Sequence, residues 1–347
     1  MRLLFLCVSL ILAFSAITPP ALCQLAPPDV LEPVNVPARP LTTPEERGQA
    51  QDLLAEARRN YRSGSGGHPF TIKASFTATG ATAFEGDGRF EETVGGNSHW
   101  RMTGQLAGAT IVRLGSGGHT YGNSASEPVP LRLQLVWAAI FFPVPTIPSD
   151  MAMLRTASVN YKGSSLTCIL LSGWVSTQPA TRFYQEREAC VDAETHLLRV
   201  WSEKPGIYAE YDYANSISFH GNVMARRITI TEAGQPVVAI RIDSLEDPTP
   251  AEEASLKPTP DLVEASPVAL PSAFPLRVPA REGFSLDSRV IVHASISATD
   301  GKVLEAEALQ NTALTRAALE AVKAQHFPPN GTQREAFINV MFNLPPD

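Results

Sequence analysis

Eight prolines fall between Pro248 and Ala280, at positions 248, 250, 258, 260, 267, 271, 275 and 279. A proline has no backbone N–H and a fixed φ, so neither a long helix nor a central strand runs through such a stretch. The chain must therefore fold as separate units on either side. Its 347 residues suit two domains, at roughly 150 residues each. The reading divides it into a leader (1–23), a Pro-rich lead (24–43), a β-rich domain (44–247), a Pro-rich linker (248–280) and a small C-terminal domain (281–347).

The leader reads as a secretory signal. Arg2 supplies the positive charge, Leu3 to Ile17 is apolar, and Ala21-Leu22-Cys23 before Gln24 is a small-x-small cleavage site. The apolar run is short for a bilayer span, which needs about 20 residues. Export to the periplasm is the expectation; the alternative is an inner-membrane anchor formed by an uncleaved segment. Net charge is −7 and no Lys/Arg run occurs, which speaks against binding by charge to nucleic acid or to an anionic membrane surface. Cys7 and Cys23 lie in the leader, so Cys168 and Cys190 are left to pair as a disulfide in an oxidising compartment.

Thr43, Pro44 and Glu46 start a helix with a capping box, and Leu53, Leu54, Ala57 and Tyr61 fall on one of its faces. From His68 to Asp247 the pattern changes to period two. In "FTIKASFTATG" the residues Phe70, Ile72, Ala74 and Phe76 alternate. Many such runs follow, with hairpin signals at His220-Gly221-Asn222 and at Glu232-Ala233-Gly234-Gln235. This predicts an antiparallel meander. "LRLQLVWAAIFF" (131–142) is too short to cross a bilayer and reads as a helix packed on the sheet. It is either a plain core helix or a lid over an apolar ligand cavity.

After the linker, "RVIVHASISA" and "KVLEAEAL" read as two strands around Asp300-Gly301. A helix is expected from about Thr312 to Gln325, with Leu314, Ala318, Ala321 and Val322 on one face. Pro328-Pro329 stops it, and "EAFINVMFNL" closes the domain as a strand. The fold class is therefore α+β: a β-rich domain with packed helices, then a small ββαβ domain.

This tail resembles the TonB C-terminal domain family from about Phe274 to Leu344. The likeness is carried by Phe274-Pro275 with Ala280-Arg281, "VIVHASIS", the Asp300-Gly301-Lys302-Val303 turn, "ALTRAALEAVKAQHFPP", Asn330-Gly331 and Val340-Met341-Phe342. The resemblance implies a sheet that takes a partner peptide by strand addition at an exposed edge. It places that edge at Ala336, Phe337, Ile338, Asn339, Val340, Met341 and Phe342. More loosely, residues 68–247 resemble the LolA/LolB-type half-barrels of outer-membrane lipoprotein sorting. The carriers are the antiparallel run, the apolar helix, "VDAETHLLRVW" and "VMARRITITEAGQPVVAIRI". That implies an apolar cavity able to hold acyl chains, with Leu135, Trp137, Ile140 and Phe141 toward the ligand.

Catalytic signatures are missing: there is no G-x-S-x-G, HExxH, Walker A or dinucleotide fingerprint. "SGSGGHPF" and "GSGGHTYG" lack the Lys-Ser/Thr of a phosphate loop and read as turns. The seven histidines are scattered singly, and Glu91-Glu92, Glu186/Glu188 and Glu252-Glu253 read as solvated pairs. No catalytic residue, metal ligand or cofactor is expected. The sequence points to a periplasmic adaptor in envelope transport that binds an envelope protein or peptide. The alternative is a carrier of lipid or another apolar ligand, and an uncharacterised hydrolase is the second alternative.

Overall fold

The computed structural model describes residues 38–61, 68–79, 85–96, 99–125, 129–141, 143–144, 153–172, 186–204, 207–232, 235–265, 272–278, 289–308, 314–327, 329 and 334–342. The leader, residues 24–37 of the Pro-rich lead and Asn330-Gly331 lie outside them. The chain begins β1 (Arg39–Pro40), α1 (Pro44–Tyr61), β2 (Phe70–Ala78), β3 (Gly86–Val94), β4 (Trp100–Leu106), β5 (Ala109–Ser116), β6 (His119–Gly122) and α2 (Leu131–Phe141). It continues β7 (Met153–Tyr161), β8 (Ser164–Ser172), β9 (Arg187–Asp192), β10 (Leu198–Lys204), β11 (Ile207–Asp212), β12 (Ile217–Phe219), β13 (Asn222–Met224), β14 (Arg227–Glu232) and β15 (Gln235–Glu246). Then come α3 (Pro250–Ala254), β16 (Val263–Glu264), β17 (Ser272–Val278), β18 (Arg289–Ile296), β19 (Val303–Ala308), α4 (Thr315–Lys323) and β20 (Arg334–Phe342).

Fourteen strands make one open antiparallel sheet, in the order β1-β7-β8-β9-β10-β11-β14-β15-β2-β3-β4-β5-β6-β16. Its register is fixed by two-residue turns. Ala107-Gly108, Gly117-Gly118 and Lys162-Gly163 have positive φ at both positions, as does His220-Gly221, which joins β12 and β13 of a separate two-stranded sheet. Such turns carry the right-handed twist that joins adjacent strands. A slip of one residue would turn every apolar side chain to the wrong face. The capping box of α1 forms as expected: the Glu46 N–H donates to Thr43 Oγ1 (3.2 Å), and the Thr43 N–H donates to Glu46 Oε2 (3.2 Å).

The two faces of the sheet differ. α1 and α2 cover the inner face, where Leu54, Ala57 and Tyr61 of α1 join Phe70, Ile72, Phe76, Phe90, Met102 and Ile228 in one core. A second core lies on the outer face, around Val159, Leu166, Leu170, Val200 and Tyr208. It contains Cys168 and Cys190, which stand directly opposite each other in the β8–β9 pair and form the disulfide. Its 22-residue separation corresponds to roughly 3 kcal/mol of chain-entropy stabilisation. The double variant Cys168→Ala/Cys190→Ala is expected to lose about that much in urea unfolding. An unchanged midpoint would contradict it.

The described parts of the predicted linker, 248–265 and 272–278, take part in regular structure. Pro250 opens α3, where a missing N–H leaves no bond unmade, and Thr249 and Glu252 cap it reciprocally. Glu252 also meets Lys73 of β2 at 2.9 Å. β16 pairs with β6, and β17 joins the C-terminal sheet. Pro275 is tolerated in β17 because that strand is an edge.

The C-terminal strands follow the order β17-β20-β18-β19. α4 packs Leu314, Ala318 and Val322 against Val290, Val292, Ala294, Ile338 and Val340, and Phe327 sits beside this core. The expected free edge at Ala336–Phe342 is corrected here. β20 pairs in parallel with β17 on one side and antiparallel with β18 on the other. The chain's own upstream segment fills the position that a partner strand was expected to take. The opposite face of β18 is also covered, since Ile291 belongs to the inner-face core of the large sheet.

Gly301 explains the Asp300-Gly301 signal. Its φ is 69°, and an added Cβ would lie 1.7 Å from the Phe327 carbonyl oxygen. The Phe327 N–H donates to the Gly301 carbonyl at 2.8 Å, so backbone meets backbone with no side chain able to give way. Gly301→Ala is expected to destabilise the C-terminal sheet by about 2 kcal/mol or more. Hydrogen exchange of the β18 and β20 amides would report it, and protection equal to the parent would refute the close approach.

Candidate functional site

The inner face is occupied by α2, an eleven-residue helix whose polar residues are Arg132 and Gln134 alone. Leu131, Leu133, Leu135, Val136, Ala139 and Ile140 are buried, and Trp137 and Phe141 are half-buried against the same core. Phe141 lies 6.2 Å from Phe70 and 6.1 Å from Phe90, ring centre to ring centre. The four residues predicted to face a ligand, Leu135, Trp137, Ile140 and Phe141, thus all lie in this core. Fully burying one such side chain is worth about 1.5–3 kcal/mol. Among the described residues, no helix is long and apolar enough to cross a membrane.

Among the described residues a few polar contacts hold α2, most of them from the sheet beneath it and one from α1, while Gln134 Nε2 donates to the Val129 carbonyl just before the helix. Arg132, in the first turn, donates from Nη1 to Glu232 Oε1 of β14 at 2.8 Å. Both side chains are at most 1% exposed. Burial pushes the Glu232 carboxyl above its ordinary range; the Arg132 charge, and that of His293 from β18, oppose the shift. In mid-helix, Trp137 Nε1–H donates to Glu92 Oε2 of β3 at 3.0 Å. Glu92 stands between Ile72 and Met102 in the strand register, and burial pushes its pKa from 4.5 up to about 8, with the indole bond opposing the shift. At the end of the helix the carbonyls lose their intrahelical donors. The Ala139 carbonyl accepts instead from Tyr61 Oη (3.2 Å) and Tyr211 Oη (3.1 Å). Burial raises both phenol pKa values well above 10, so they stay donors at any ordinary pH.

The sequence reading misplaced several carboxylates. Glu92, Glu186 and Glu188 are buried rather than solvated. Glu92 shares strand parity with Phe90 and Gly88, and that inward parity was the signal. Glu186 holds Arg155 through two bonds of 2.8 and 2.6 Å on the outer face. Cys168, Glu188 and Cys190 come together there, but the two sulfurs are joined to each other and offer no thiolate. The histidines are not all isolated: His68 and His220 stack at 4.8 Å, and His220 Nε2 lies 3.0 Å from Asp247.

The arrangement presents an apolar face, a self-derived apolar occupant and a small set of polar latches. It suits binding of an apolar group. The chain matches no protein-family model and no curated protein. Among solved structures it is similar to a LolA superfamily protein from Nitrosomonas europaea, with 14% identity, 58% of this chain and 94% of that chain covered, and a TM-score of 0.40. A DUF1329 family protein from Desulfovibrio piger is similar at 9% identity, with 60% and 96% covered and a TM-score of 0.40. The MucA/MucB complex of Pseudomonas aeruginosa is similar at 13% identity, with 63% and 64% covered and a TM-score of 0.29.

Proposed function

We propose that the protein is an exported periplasmic carrier, non-enzymatic, whose inner sheet face binds a lipid or another apolar ligand in place of α2. One observation carries this reading: the apolar inner face is filled by a helix that is apolar apart from Arg132 and Gln134 and is held, among the described residues, at a few polar points. Six buried apolar residues, at about 1.5–3 kcal/mol each, cannot be given up to water. α2 therefore leaves only by exchange with something equally apolar. The C-terminal sheet, which reaches this core through Ile291, acts as a docking module.

Native mass spectrometry of the protein from a periplasmic preparation tests the carrier. A bound mass lost on denaturation, and extractable as lipid, supports it. A clean apo mass that stays apo after incubation with phospholipid counts against it. That second result would favour an adaptor with the TonB-like tail, in which a partner strand displaces β17 from β20. The single-sided pairing of β17 is what supports that reading.

A further inference from the structure

The outer face of the large sheet carries a cleft of about 820 Å³ where β2 to β5 meet β14 and β15. Strand register sets Arg227 opposite Arg241, Arg241 opposite Ser75, Ser75 opposite Arg89, and Arg89 opposite Gln105. Cross-strand partners share a face, so three arginines stand in one row along the cleft wall. They alternate with Phe76, Phe90 and Ile240, which point to the inner core. The row is therefore separate from the α2 site.

Like charges placed directly opposite each other disfavour a sheet, yet Arg227 and Arg241 hold that position. Three aspartates stand near the row. Asp212 lies 3.6 Å from Arg227, and Asp243 lies 2.8 Å from Arg241. Asp87, also in the wall, accepts from the Thr77 hydroxyl. Arg89 has no ion-pair partner among the described residues. The protein as a whole carries a net charge of −7, so a lysine-free arginine row runs against its general balance. Guanidinium forks grip phosphoryl oxygens in pairs, which an ammonium cannot do. We propose that Arg89, Arg227 and Arg241 form a binding site for a phosphate-bearing polyanion, with the Gln105 amide as a neutral donor beside them.

Such phosphates come either from free oligophosphate or from a lipid headgroup, and two titrations separate the sources. Tripolyphosphate is titrated calorimetrically into the purified protein. Vesicles of phosphatidylcholine, with and without phosphatidic acid, are tested by co-sedimentation. Saturable binding to either phosphate probe, weakened by about tenfold or more in both Arg89→Gln and Arg241→Gln, is the expected result. Binding of both probes assigns the site to phosphate in general. Binding of vesicles alone assigns it to the headgroup, and binding of tripolyphosphate alone to soluble phosphates. Arg89→Lys should recover only part of the affinity, because it keeps the charge and loses the fork. The substitutions are on exposed side chains, and an unchanged far-ultraviolet spectrum verifies the fold. No binding of either probe, or binding that both variants leave unchanged, overturns the proposal.

Discussion

Arg132→Met is expected to cost about 3–5 kcal/mol of stability, because it strands a buried carboxylate. Arg132 and Glu232 form an ion pair at 2.8 Å with almost no exposure on either side. Such a pair adds little net stability against an apolar substitute, since desolvation consumes most of the attraction. Removing one partner is different: Glu232 is left under the helix with its charge uncompensated. The double variant Arg132→Met/Glu232→Leu should therefore recover most of the loss. Urea unfolding of the parent, both single variants and the double variant gives the comparison. A loss below about 1 kcal/mol in Arg132→Met would mean that water reaches the pair.

Glu92 carries the second large effect, and its sign follows from burial. Its pKa rises from 4.5 to about 8 in the fold. The folded state therefore keeps a proton that the unfolded chain gives up between those values. Stability from this group is complete below pH 4.5 and lost as pH climbs to about 8, at about 1.4 kcal/mol per pH unit. Glu92→Gln keeps the shape and an acceptor for Trp137 Nε1–H but cannot titrate. It should match the parent near pH 4.5 and exceed it by several kcal/mol at pH 8, at about the same 1.4 kcal/mol for each unit crossed. Glu232, also raised by burial, adds a slope of the same sign that the variant retains, so the difference between the two curves isolates Glu92. Parallel curves would contradict the buried, protonated carboxyl.

Much of the fold was legible because local signals agreed. The capping box at Thr43 and Glu46, the period-two runs and the His220-Gly221 turn named their elements close to the observed bounds, while Ala233-Gly234 of the other hairpin signal lies outside the described residues. The apolar run at 131–142 gave α2 to within a residue. What periodicity did not reveal was partnership between distant segments. Glu92 was taken as one of a solvated pair, although its parity with Phe90 points inward. Arg132 meets Glu232 a hundred residues away, and no local rule connects them. β17 was hidden by its proline, because Pro275 is compatible with an edge strand and with an extended linker alike. That misreading made β20 look like an edge. The arginine row was invisible for the same reason: Arg89, Arg227 and Arg241 become neighbours only through register.

The central claim is that α2 occupies a site that an apolar ligand can take. Amide hydrogen exchange with and without a saturating fluorescent long-chain fatty acid tests it most directly. The account predicts that Leu131–Phe141 lose protection when the probe binds, while β2, β3 and β14 keep theirs. A bound probe that leaves the α2 amides as protected as before would contradict it, and would make α2 a permanent part of the core.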